Sequence, residues 1–183
     1  ADSVLDRIAQ RQAIVLGYTV SSPPMSYLSP DGTPIGYTVD ICRAIAGRIG
    51  AKLGNPALGV RFLRMELDTR AGLIREGSVD LLCNGTSNTA EHREAFEFGP
   101  TIYVAETRLV TKADPSVQSI ADLADAKVAV SVGSTAESTL QSIAYERGLD
   151  VVVARSNDAA FDQLLLGWAK AFALDDVVLG GLI

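Results

Sequence analysis

Two turns, at residues 83–94 ("CNGTSNTAEHRE") and 131–142 ("SVGSTAESTLQS"), carry residue types that could hold an anion. Each leaves an apolar strand, passes a glycine (Gly85, Gly133) and enters a helical pattern through a polar residue followed by Thr-Ala-Glu. Glycine lets the backbone approach a ligand closely, and the first amides of the next helix have no internal acceptor. Those N–H groups, with the positive end of the helix dipole, make an anion site. Ser134 with Glu137 fits a capping box, and Asn88 with Glu91 repeats it with asparagine as the cap. A third strand end, in "FALDDV" (172–177), places Asp175 and Asp176 where a carboxylate could meet an ammonium group. Anion sites and a carboxylate together suit a zwitterion. The same features also serve as an ordinary strand-to-helix turn and a solvated loop or cap, so the motif alone decides nothing.

His92, the chain's one histidine, stands beside Arg93 in the first turn. No serine or cysteine is paired to it by spacing as a nucleophile would be. Two cysteines 41 residues apart, without an HxxxH pattern, do not make a zinc site, and neither metal nor cofactor is expected.

The elements that must position these residues alternate along the chain. "AIVLGYTV" (13–20) reads as a buried strand ended by "SSPP", and "YLSPDGTPIGY" as a hairpin around Asp31-Gly32. "TVDICRAIAGRIGAKLG" is a helix with Val39, Ile41, Cys42, Ile45, Ala46 and Ile49 on one stripe, with Asp40 as a cap. A strand follows at 60–67, then the short helix "TRAGLIREG" and a strand at 79–83. After Pro100 the chain starts again with a long β-rich run, 101–112. There follow the helix "SIADLAD", the strand "KVAVSV", the helix "STAESTLQSIAYERG", the strand "VVVA", the helix "SNDAAFDQLLLG" and the strand "AFAL". Trp168 reads as helix packing, and Tyr18 and Tyr27 as core or rim residues flanking the first turn. Such alternation predicts an α/β fold of mainly parallel sheets flanked by helices, in two units. The first runs over 1–103 and the second over 104–183, with a hinge near 101–106.

Composition narrows the partners. The 183 residues are 48% apolar with a formal net charge of −6, enough for a packed core. The sixteen basic residues form no stripe, which argues against nucleic acid, and no run approaches a membrane span. The start, Ala1-Asp2-Ser3, lacks an initiator methionine, which fits a mature exported protein cut after a small residue or a boundary within a longer chain. Cys42 and Cys83 could form a disulfide if their helix and strand touch, or serve as two buried thiols.

Taken in order, "IVLGYTVSSPPMSYLSPDGTPIGYTVDICRAIA", "IREGSVDLLCNGTSNTAEHREAFEFGPTIY", "SIADLADAKVAVSVGSTAES" and "AFALDDVVLGG" resemble the polar amino-acid-binding proteins of bacterial ABC importers. This is solute-binding protein family 3, and the flavour is that of its glutamate/aspartate branch. The resemblance implies a two-lobed periplasmic binding protein (type II) that closes on an amino acid and hands it to a membrane permease. By motif it implies that Gly85 and Ser87 meet the ligand's α-groups. It likewise gives Gly133, Ser134 and Thr135 to the α-carboxylate, Asp175 to the α-ammonium and Arg70 to a side-chain carboxylate.

Three departures qualify the resemblance. The family's α-carboxylate arginine lies six residues before the aromatic Phe98, where this sequence has His92, with Arg93 next. Replacing a bidentate charged contact by one donor could cost about 1.5–3 kcal/mol, roughly ten- to a hundredfold in affinity. Thr19 stands where the acidic-ligand branch often has another basic residue. Both changes count against glutamate and leave a polar amino acid or related small carboxylate. The third departure is length: the resemblance implies a first lobe short of its closing segment, with exposed apolar surface that would favour a dimer. Two other readings share the scaffold. One is the sensor domain of a membrane receptor; the other is a cyclohexadienyl dehydratase-like enzyme using Asp176 or His92 as its acid.

Overall fold

Ser3 opens the first helix, α1 (Val4–Arg11), through a capping box in which its hydroxyl accepts from the Asp6 amide at 3.2 Å and Asp6 accepts from the Ser3 amide at 3.0 Å. The structure is a computed structural model that describes residues 3–113 and 116–183; Ala1 and Asp2 at the chain start lie outside the described residues. Sequence patterning passed over α1 because Ile8 alone of its residues is buried.

The apolar run after it becomes β1 (Ala13–Tyr18), the centre of a three-stranded parallel sheet in the order β5 (Gly59–Arg64), β1, β6 (Leu81–Leu82). Ala13 pairs with Gly59, and Gly17 with Leu82. A central parallel strand is covered on both faces, which is why β1 reads as a continuous apolar run. The expected strands at 60–67 and 79–83 shorten to β5 and β6. A small antiparallel sheet joins β2 (Ser21–Ser22), β3 (Ser26–Leu28) and β4 (Pro34–Ile35), the last two forming the expected hairpin with Gly32 at φ 81°.

Helix α2 (Tyr37–Lys52) starts after Gly36, where φ is 127° and an added Cβ would sit 2.3 Å from the Met25 carbonyl oxygen. No other residue fits that backbone. Of the expected stripe, Val39, Cys42 and Ala46 enter the core and Ile49 packs against it, whereas Ile41 and Ile45 border an open apolar groove with Ala44 and Ile49. Asp40 is not the cap: it lies inside the first turn of α2 and pairs with Arg43 at 3.1 Å. Cys42 and Cys83 do form a disulfide, with Cα atoms 5.9 Å apart, which settles the two readings left open by sequence. The Thr38 hydroxyl fastens the same junction by donating to the carbonyls of Met25 (2.7 Å) and Cys83 (3.0 Å). Closing a loop of this length stabilises the fold by roughly 4 kcal/mol in the chain-entropy account.

The chain divides into two compact units, on either side of the Pro100–Thr101 bond. In the second, residues 101–106 have no regular structure, so the expected long strand shortens to β7 (Thr107–Thr111). With β8 (Lys127–Ser131), β9 (Asp150–Ala154) and β10 (Ala171–Asp175) it forms a sheet in the order β7-β10-β8-β9, parallel except for β7. Two longer helices, α4 (Thr135–Arg147) and α5 (Asn157–Leu165), cover it, burying Ala136, Leu140, Ala160 and Leu164. A short helix, α6 (Asp176–Leu182), follows β10 and was not foreseen. Trp168, expected to pack, is instead 69% exposed. None of the described helices is long and apolar enough to cross a membrane.

Candidate functional site

In the first unit, β1 and β6 run parallel and end on the same edge of the sheet, followed by Thr19 and by Asn84–Ser87 respectively. In open parallel sheets ligands bind beyond that edge. The helix α3 (Arg70–Arg75) begins after β5, which ends on the same edge, and its first residue is the most deeply buried cation there, Arg70 at 5% exposure. Burial lowers the Arg70 pKa, while the charges of Asp68 and Glu91 push it back up. Its guanidinium carbon lies 5.8 Å from the centre of the Phe96 ring and its Nη2 is 2.9 Å from His92 Nε2. The other ring nitrogen of His92, Nδ1, is 2.7 Å from the Ser87 carbonyl oxygen. His92 and Phe96 also meet edge to face, with centroids 6.0 Å apart. Arg70, Ser87 and His92, named from sequence, are thus joined in one chain of contacts, with Gly85 in the same loop.

Arg93 is not brought to this cluster. It is exposed, and its Nε turns back toward the Thr89 carbonyl at 3.4 Å. The expected helix after Asn88 is also absent: only a 3-10 turn forms, His92–Glu94. Its N-cap is Glu91, not Asn88, without a side-chain capping bond; Thr89 steadies the turn instead, accepting from the His92 amide through its hydroxyl at 3.1 Å and from the Arg93 amide through its carbonyl at 3.0 Å. Gly85 has no positive φ, and an added Cβ would meet Met25 only at 3.9 Å, so nothing inside the protein requires glycine there. Thr19 is buried and occupied by Ser26 and Ser22.

Sequence reading missed Asn84. It is 8% exposed, its Oδ1 accepts from the Thr86 hydroxyl at 2.8 Å, and its buried Nδ2 has no partner in the protein. A buried amide donor without an acceptor is unfavourable unless something else supplies one. The signal available was its place, next to Gly85 at the carboxyl end of a strand.

In the second unit, β8 and β10 are adjacent and parallel, so Ser134 and Thr135 after β8 and Asp175 at the end of β10 rise from the same edge. Ser134 caps α4 as read, accepting from the Glu137 amide at 3.1 Å. Glu137, however, reaches back to the Gly133 amide at 2.6 Å, beyond the cap residue. That amide, expected to serve a ligand carboxylate, already has a carboxylate. Thr135, the first residue of α4, supplies a first-turn amide with no intrahelical acceptor. Asp175 stands before α6 without a side-chain capping bond. Burial, reinforced by the neighbouring charge of Asp176, raises its pKa. Asp176 is engaged elsewhere, accepting from the amides of Val177 (2.7 Å) and Glu106 (3.3 Å).

Residues 14–173 match the family of bacterial extracellular solute-binding proteins, family 3. This chain belongs to that family. It is 34% identical over 183 residues to the glutamate/aspartate import solute-binding protein of Escherichia coli (strain K12), covering 99% of this chain and 61% of that protein. It is 31% identical over 180 residues to the L-glutamate/L-aspartate-binding protein of Pseudomonas aeruginosa, covering 97% and 60%. The chain therefore spans about three-fifths of the length of these relatives. Among solved structures it is similar to a solute receptor for L-cysteine of Neisseria gonorrhoeae, with a TM-score of 0.86 at 25% identity over 97% of this chain and 70% of that one. An ancestral amino acid-binding protein, a precursor of cyclohexadienyl dehydratase, gives 0.85 at 25% identity, with 97% and 76% covered. The fold expectation is borne out: a family 3 α/β chain whose two units each carry a mainly parallel sheet flanked by helices, on the pattern of two-lobed amino-acid-binding proteins.

Proposed function

We propose that this chain is the amino-acid-recognising part of an extracytoplasmic solute receptor, with an acidic amino acid as the preferred ligand and the permease of an ABC importer as its membrane partner. The observation that carries this reading is Arg70. A guanidinium at 5% exposure, held against an aromatic face and an imidazole, is a permanent charge taken out of water. A guanidinium at the carboxyl edge of a parallel sheet offers a planar, two-pronged fit to a ligand carboxylate. In this reading Arg70 takes the ligand's side-chain carboxylate, and Asn84 and Ser87 line the same edge. The second unit, on its own sheet edge, offers Thr135 at the start of α4 to a carboxylate and Asp175 to an ammonium. Names of the relatives, which speak of glutamate and aspartate, support the same ligand class.

Binding is the reading here, not catalysis. Of the two groups considered as acids, Asp176 already accepts two backbone amides, and both ring nitrogens of His92 are engaged by Ser87 and Arg70. Thermal denaturation tests the proposal. Ligand at about a hundred times its dissociation constant stabilises a protein by about 2.7 kcal/mol. L-glutamate or L-aspartate should raise the transition, whereas glutarate and succinate, which lack the amino group, should raise it less. Equal shifts from both sets would remove Asp175 from the proposal, and no shift from any amino acid would overturn it.

A further inference from the structure

We propose that His92 is a positioning residue that presents Arg70 and the Ser87 loop to the ligand without donating to the ligand itself. This rests on the receptor reading above, in which Arg70 meets a carboxylate. The argument starts from the two contacts of the ring. The Ser87 carbonyl, 2.7 Å from Nδ1, can only accept, so the ring proton sits on Nδ1. An arginine can only donate, so the Nε2 atom, 2.9 Å from Arg70 Nη2, is the acceptor. Both contacts are satisfied by one neutral tautomer, with no ring N–H left over for a carboxylate.

The rest of the surroundings hold that ring in place. Its backbone amide is fixed by the Thr89 hydroxyl, and the Phe96 ring meets both partners: His92 at 6.0 Å and the Arg70 guanidinium at 5.8 Å. The three side chains form a triangle in which an aromatic underlies the cation and a neutral base orients it. An arginine at position 92 would instead put two cations side by side. The carboxylate recognition of this unit is therefore concentrated on one guanidinium, aimed by the imidazole.

Having one histidine makes the chain convenient for testing, because its imidazole nitrogen spectrum contains one ring. The expected result is the Nδ1–H tautomer with Nε2 unprotonated, both before and after L-glutamate is added. A proton on Nε2, alone or with Nδ1, would overturn the inference, and this readout needs no ligand. Titration calorimetry with L-glutamate gives the second readout. His92→Gln, whose amide oxygen can still accept from Arg70, should bind within roughly threefold of the parent, since one neutral hydrogen bond is exchanged for another. His92→Phe keeps a ring against Phe96 but no acceptor and should lose roughly tenfold or more. His92→Arg should gain nothing. Tighter binding by His92→Arg, or equal loss in the Gln and Phe variants, would overturn the positioning role. If the parent chain binds no amino acid, the receptor reading falls, and the nitrogen spectrum still decides the tautomer.

Discussion

The tripeptide Thr-Ala-Glu occurs in both units, at 89–91 and 135–137, and it does different things in each. In the second unit it opens a 13-residue helix, because Ala136 and Leu140 behind it face the sheet and are buried. In the first it yields a single 3-10 turn. There the following residues are His-Arg-Glu-Ala-Phe-Glu-Phe-Gly-Pro, whose aromatic residues alternate and whose Gly99-Pro100 ends any helix. Local capping chemistry starts a helix; burial of the face behind it decides whether the helix continues. The candidate sites of the two units, each taken by itself, diverge accordingly. The first is built from side chains, with a buried cation braced by an aromatic and an imidazole. The second is built from a helix start and a carboxylate whose pKa is raised by burial.

The contrast can be broken most forcefully at the disulfide, which belongs to the first unit alone. Replacing Cys42 and Cys83 by serine should lower the stability of that unit by roughly 4 kcal/mol. An unchanged stability in the double serine variant would contradict that contribution of the bond. The binding residues come next. Arg70→Met should weaken binding of an acidic amino acid by about a hundredfold, the upper range for a charged hydrogen bond. Asp175→Asn should weaken it by about tenfold and remove its pH dependence. The sign follows from burial and the neighbouring Asp176, which raise the Asp175 pKa, so acid conditions protonate it before an ordinary aspartate. An ammonium ligand needs the carboxylate, so affinity should rise as pH climbs through the raised value. Stability of the ligand-free protein should run the other way. The contribution of protonated Asp175 is fully present below its unfolded-state pKa and is lost as pH rises through the folded one. Titration calorimetry and thermal denaturation across pH check both slopes. The smallest effects are at the helix starts: Ser134→Ala, which removes a cap, should cost about 1 kcal/mol of stability, and Thr89→Ala, which removes one hydrogen bond to a 3-10 turn, about 0.5 kcal/mol. Equal costs in chemical denaturation would mean that the two turns are alike after all.

The positions of most strands and of the longer helices α2, α4 and α5 were legible because apolar runs and period-3.6 stripes are local signals, and Ser134 was legible because a capping box spans three residues. What lay beyond reach was non-local. His92 and Arg70 are 22 residues apart and meet only because α3 and the 89–96 turn pack together. The Cys42–Cys83 bond depends on a helix face touching a strand end, which spacing does not reveal. The missing helix after Asn88 was misread for a different reason: the cap motif was present, but the apolar face that sustains a helix was not. Glu137 shows the limit at its finest scale, since its carboxylate reaches Gly133 and takes an amide that the sequence offered to a ligand.

The account turns on Arg70 reading a carboxylate. The most direct test is the ratio of L-glutamate to L-glutamine affinity, measured by calorimetry in the parent chain and in Arg70→Met. These ligands differ by a carboxylate against an amide of nearly the same shape. A strong preference for glutamate that collapses toward unity in Arg70→Met is the predicted result. A ratio that is the same in both proteins would contradict it.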